Sequence, residues 1–117
     1  MIMIRGTTAQ FKFKLPYSKD ELEWIKIKFW QPQNPTFEPI TKIYSHCNQS
    51  GPNEICVSLT EEESAAFSDK YKGHVQFRAK PKEVGGLVFG CPPQLFTVYP
   101  MLDELIIEDP NSVPTEE

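Results

Sequence analysis

The chain has 117 residues, of which 39% are hydrophobic and 24% charged, with a formal charge of −4 at neutral pH. That length fits one ordinary globular domain and excludes doubly wound nucleotide enzymes, barrel enzymes and multidomain machines, which need more chain. The charge is unevenly placed: residues 1–100 hold all 12 basic residues against 10 acidic ones, a net +2, and the segment from Met101 onward supplies the rest of the acid. A body so close to neutral lacks the basic bias that drives nucleic-acid binding through counterion release. No stretch approaches the roughly 18 apolar residues of a membrane helix. The opening Met1-Ile2-Met3-Ile4-Arg5 is charged too soon for a signal peptide. The expectation is a soluble protein with neither a nucleic-acid nor a membrane partner.

Arg5-Gly6-Thr7-Thr8 stand near the start of the chain. Gly6 allows positive φ or close backbone approach, Arg5 carries a planar fork that suits carboxylates or carbonyls, and the threonines suit entry to a strand. Arg5 and Gly6 are therefore expected to lock the first strand in place, with partner binding as the alternative. Phe11, Phe13 and Leu15 then alternate with Gln10, Lys12 and Lys14. This period of two is that of a strand with one buried face.

The pattern recurs in Trp24-Ile25-Lys26-Ile27-Lys28-Phe29-Trp30, with Ile25, Ile27 and Phe29 inward. Trp24 and Trp30 share the opposite face with Lys26 and Lys28, which makes these four residues a candidate protein interface or sugar-stacking platform. The competing expectation is that the strand is buried on both sides near its ends, one of the tryptophans serving as a core residue. Lys12, Lys14, Lys26 and Lys28 would form one basic face, open to an acidic partner, if the first two strands shared a sheet. Otherwise such lysines keep a sheet soluble and guard its edges.

Gln31-Pro32-Gln33-Asn34-Pro35 must leave the second strand, because proline cannot donate to a ladder. Residues 40–44 suit a strand, and Asn48-Gln49-Ser50-Gly51-Pro52-Asn53 reads as the hairpin loop before another strand at Ile55, Val57 and Leu59. Thr60-Glu61-Glu62-Glu63 reads as a capping box, in which Thr60 and Glu63 cap each other, starting a short helix near residues 60–67 that crosses between strands. Solvated cap residues explain these glutamates better than cation binding or acid-base chemistry does. Tyr71, just before the next strand, is open to two readings: a bond back across the corner after the helix, or a surface tyrosine.

Val75, Phe77 and Ala79 alternate with His74, Gln76, Arg78 and Lys80 as a further strand. Pro81 to Pro93 reads as an irregular excursion or short edge strand, and its Leu87, Val88 and Phe89 make a second candidate contact patch. Residues 95–99 suit a last strand. The sandwich domain is expected to span 1–108, followed by an acidic tail over 109–117 with too few apolar groups to offset ordering entropy.

Three cysteines, Cys47, Cys56 and Cys91, stand without close pairs, and the histidines are His46 and His74. No metal site, cofactor or disulfide is expected from this spacing. A Cys47 or Cys91 nucleophile paired with a histidine in space stays open. The elements together imply an all-β protein with one short helix: an immunoglobulin-like β-sandwich of about seven antiparallel strands.

Ile4-Arg5-Gly6-Thr7-Thr8 followed by Phe11-Lys12-Phe13-Lys14-Leu15-Pro16 resembles the opening of small proteins encoded in phages and prophages of Gram-positive gut bacteria. Leu59-Thr60-Glu61-Glu62-Glu63-Ser64 with Phe67, and Val75-Gln76-Phe77-Arg78, are similar to later stretches of that group in the same order. Ala9 stands where the group has proline, and residues 31–39 and 81–93 look inserted. The resemblance implies an immunoglobulin-like sandwich made in the host bacterial cytoplasm, acting as a virion structural or accessory protein. It is loosely like the N-terminal sandwich of phage baseplate upper proteins of the tail. It implies contacts with phage structural proteins or with further copies of itself, and it carries no catalytic residue. A carbohydrate-binding sandwich is the alternative function.

Overall fold

A computed structural model describes residues 1–101 of the chain. Nine strands run in order: β1 Ile2–Ile4, β2 Ala9–Lys14, β3 Leu22–Trp30, β4 Ile40–Ile43, β5 Cys47–Gly51, β6 Glu54–Leu59, β7 Gly73–Pro81, β8 Phe89–Gly90 and β9 Gln94–Tyr99. One α-helix, α1 Glu61–Ala65, lies between β6 and β7, and short 3-10 turns fall at Lys19–Glu21 and Tyr44–His46. The small sheet has the order β2-β6-β5, and the large sheet β1-β9-β7-β3-β4 with β8 added to β7. Chain order against strand order is that of an immunoglobulin-like sandwich, in which consecutive strands are shared between facing sheets.

Alternation in the sequence becomes burial. Phe11, Phe13, Ile25, Ile27, Phe29, Ile55, Val57, Val75, Phe77, Phe96 and Val98 all point between the sheets and are buried. Phe11 sits edge-on between Phe29 at 4.9 Å and Phe96 at 5.1 Å, while Phe13 packs on Phe77 at 5.3 Å. Each such phenylalanine contributes about 2 to 3 kcal/mol by leaving water. The core position open to a tryptophan is filled by these rings, so neither Trp24 nor Trp30 is the core tryptophan.

Three elements differ from the sequence expectation. β1 pairs in parallel with β9, with Ile2 opposite Thr97 and Ile4 opposite Tyr99, so the sheet is mixed. Asn48, Gln49, Ser50 and Gly51 belong to β5, and the turn into β6 is confined to its tip at Pro52 and Asn53. The lysines of β2 and β3 lie on different sheets, because the chain crosses between them through residues 15–21. Lys12 and Lys14 therefore form no common basic face with Lys26 and Lys28. Of the expected domain and tail, residues 102–108 and the acidic segment 109–117 lie outside the described residues. No helix among the described residues is long and apolar enough to cross a membrane.

Candidate functional site

The fold accounts first for the residues that open the chain. Gly6 has φ of 78°, a left-handed conformation that favours glycine, and turns the chain from the large sheet toward the small one. Arg5 Nε and Nη2 donate to the Ala65 carbonyl at 3.3 and 3.0 Å, which satisfies a carbonyl at the end of α1. Thr7 Oγ1 donates to the Ile4 carbonyl at 2.6 Å, and Ser64 Oγ donates to the Thr7 carbonyl at 2.7 Å. The opening segment and α1 are thus tied by side chains from each of them.

The capping box forms as the spacing predicts. Glu63 N donates to Thr60 Oγ1 at 3.1 Å and Thr60 N donates to Glu63 Oε1 at 2.9 Å. Glu63 also takes Lys42 Nζ at 2.8 and 3.0 Å. Burial alone would raise the Glu63 pKa, but the Lys42 ammonium and the Thr60 bonds outweigh it and hold the carboxyl below its ordinary value. An open groove of about 500 Å³ beside α1 is lined by Thr8, Ser58, Leu59, Thr60, Glu61 and Glu62. Its lining offers carboxylates without a basic partner.

Sulfur and imidazole chemistry is no better assembled. Cys47 is buried, its Sγ donates to the Ile43 carbonyl at 3.5 Å, and burial pushes the thiol pKa up. A thiol held in its protonated form is a poor nucleophile. The neighbouring His46 spends Nδ1 as acceptor for the Ile43 amide at 3.1 Å. Among the described residues no group of three or more His, Cys, Asp or Glu could hold a metal ion.

The four residues that share the outer face of β3 stand where alternation puts them. Lys26 and Lys28 are exposed and Trp24 and Trp30 half-buried, all on the side of the large sheet turned away from the core. Register supplies their neighbours: Trp24 is opposite Lys80, Lys26 opposite Arg78, Lys28 opposite Gln76 and Trp30 opposite His74. On the other side, Lys26 faces Ile43 and Lys28 faces Thr41 of β4. The Lys26 ammonium lies over the Trp24 ring at 6.0 Å, and that of Lys28 over Trp30 at 5.5 Å. Trp30 and His74 stack at 5.3 Å, and His74 Nδ1 is buried with no hydrogen-bond partner.

Exposed apolar groups extend this surface, with Ile43 at 44% and Leu95, opposite His74, at 55% exposure. The alternation of β3 identifies only its own four residues. Arg78, Ile43 and Leu95 join them through strand register, which depends on pairings between distant parts of the chain.

Leu87, Val88 and Phe89 do not act together. Leu87 is 82% exposed and Val88 also projects outward. Phe89 turns in, stacks with Tyr17 at 5.6 Å and Phe77 at 6.3 Å, and pairs with Ala79 in the sheet. It anchors the excursion to the core and drops out of the contact patch.

No family model matches this chain, and no curated protein does. Among solved structures, it aligns with a chain from the work described as "Structural basis of T cell specificity and activation by the bacterial superantigen toxic shock syndrome toxin-1", at a TM-score of 0.47 and 13% identity. The alignment covers 84% of this chain and 91% of that one.

Proposed function

We propose that the protein is a non-enzymatic β-sandwich of a phage or prophage, a structural or accessory protein of baseplate or tail type, and that it works through protein contacts in the virion or its assembly. The observation that carries the contact reading is the outer face of the large sheet. There two tryptophans, two lysines and the exposed Ile43 and Leu95 share one uncovered surface. The fold does not need aromatic groups at these positions, since its core is closed by phenylalanines on the other side of the same strands. Aromatic and Arg side chains on an uncovered face are the residue types that anchor protein interfaces. The phage setting is supported by the opening motif and the blocks similar to phage-encoded proteins. In this setting the protein is made in the host cytoplasm and joins particles or their precursors.

A sugar-stacking role has less support from the geometry. Lysine ammonium groups lie over both indoles, and Gln76, the amide nearest them, donates Nε2 to the Cys91 carbonyl at 2.9 Å. Few hydrogen-bonding side chains are left to orient a sugar ring.

The test is to purify phage particles and assembly intermediates from cells making either the natural protein or a Trp24→Ser, Trp30→Ser double variant. The natural protein is expected to co-purify at a fixed ratio to a structural protein, and the variant to stay in the supernatant while remaining folded. Absence of the natural protein from every assembly fraction would refute the proposal.

A further inference from the structure

We infer that the occupant of the outer face is an acidic segment of a partner protein, presenting carboxylates to Lys26, Lys28 and Arg78 and an apolar side chain to Ile43 beside Lys26. This rests on the interface reading above and names the partner's chemistry.

The warrant is an electrostatic conflict that the fold leaves unrelieved. Lys26 and Arg78 are directly opposite each other on antiparallel strands, and Lys28 follows two residues along. Directly opposite side chains start about 5 Å apart and residues two apart on one strand about 7 Å, so three cations share a small area. Like charges in opposite positions destabilise a sheet.

Three other lysines are answered inside the fold. Lys42 is met by Glu63 and Lys80 by Glu23 at 3.3 Å, while Lys72 donates to Thr97 Oγ1 at 2.9 Å. Lys26, Lys28 and Arg78 have no carboxylate bonded to them among the described residues, and the two lysines have only the tryptophan rings. A local arrangement that costs stability without internal compensation marks a place where something outside the fold compensates.

Other occupants fit less well. A second copy docked face to face on a two-fold axis would bring the same cations together. A nucleic acid would find three clustered cations in a body of net charge +2, beside Ile43 and Leu95 that phosphates cannot cover. A protein segment with carboxylates around an apolar side chain satisfies both parts of the surface.

The chain's two tryptophans both lie on this face, so tryptophan emission from the full-length protein reports it without a label. The probes are a short peptide of alternating glutamate and leucine, the same peptide with every glutamate replaced by lysine, and a single-stranded DNA oligonucleotide. The acidic peptide should shift the emission and bind at least about ten-fold more tightly than the lysine peptide, and weaken as salt rises from about 50 to about 300 mM. Arg78→Glu should abolish that preference while leaving the unfolding midpoint unchanged or raised, because it turns the Lys26 pairing from repulsive to attractive. That separates lost binding from lost folding.

Equal binding of the two peptides, or an Arg78→Glu variant that keeps the preference, would overturn the acidic partner and leave the interface reading standing. Tighter binding of the oligonucleotide would overturn it in favour of nucleic acid. Silence toward both peptides would overturn it as well, with particle co-purification still deciding the interface reading separately.

Discussion

Gln31 and Ser68 are joined by two hydrogen bonds of opposite sense: Gln31 Nε2 donates to the Ser68 carbonyl at 2.8 Å and Ser68 N donates to Gln31 Oε1 at 2.8 Å. The side-chain amide thereby pairs with a main-chain amide as a neighbouring strand would. Gln31 Nε2 also donates to the Tyr71 carbonyl at 2.9 Å, and Asn34 Nδ2 donates to Gln31 Oε1 at 2.9 Å. This buried glutamine, placed just past the end of β3, holds the corner between α1 and β7. Of the two readings of Tyr71, the surface one holds: its ring is exposed, and the corner is tied by Gln31 to the Tyr71 main chain instead.

Gln31→Leu should therefore cost about 3 kcal/mol, since it leaves the Ser68 amide and two carbonyls without partners in a buried corner. Urea unfolding followed by far-UV circular dichroism measures it. A loss below about 0.5 kcal/mol would show that water replaces the amide freely.

The strands with strict alternation were legible because burying one face fixes period two: every inward residue expected at 11, 13, 25, 27, 29, 55, 57, 75, 77 and 79 is buried. β1 was not legible. It has three residues, and its partner lies at the far end of the chain. β5 was missed because Asn48, Gln49 and Ser50 are exposed on an edge strand, leaving Cys47 as its buried residue. At the candidate site, strand parity placed Trp24, Lys26, Lys28 and Trp30 together. It could not say which other strands lie beside them, because register is a property of the closed sheet. Phe89 was misplaced for a related reason: a short apolar run in a loop does not reveal which member turns inward.

Acid should act through Glu63. Its folded pKa is depressed, so its contribution is present above the unfolded carboxylate pKa and is lost as pH falls through the lower folded value. Lys42→Met should cost about 1 kcal/mol at neutral pH and flatten the acid limb of the stability curve. Thr60→Ala should cost about 1 kcal/mol by removing the cap. Unfolding midpoints measured against pH test both, and an unchanged acid limb in Lys42→Met would contradict the assignment.

A methyl group at position 73 has no room. A Cβ there would fall among the ring carbons of Phe96, which is buried beneath it, so Gly73→Ala should lose about 2 to 3 kcal/mol. Gly85→Ala meets no atom within 4 Å and pays only for its positive φ, about 1 kcal/mol. Thermal midpoints of the two variants should fall in that order.

Thiol labelling should separate the cysteines. Cys47 is buried with its pKa raised, whereas Cys56 and Cys91 are half-exposed. Iodoacetamide labelling read by mass spectrometry should modify Cys56 and Cys91 first and Cys47 only as fast as the fold opens. Rapid modification of Cys47 at neutral pH would reopen the case for a cysteine nucleophile.

The central claim is that the outer face of the large sheet is where a protein partner binds, and site-directed photocrosslinking tests it most directly. A benzophenone side chain at position 28, on that face, is compared with one at position 10, on the exposed side of the small sheet, during particle assembly. The account predicts one discrete adduct from position 28 that disappears in the Arg78→Glu background, and none from position 10. Equal adducts from both positions, or no adduct from position 28, would contradict it.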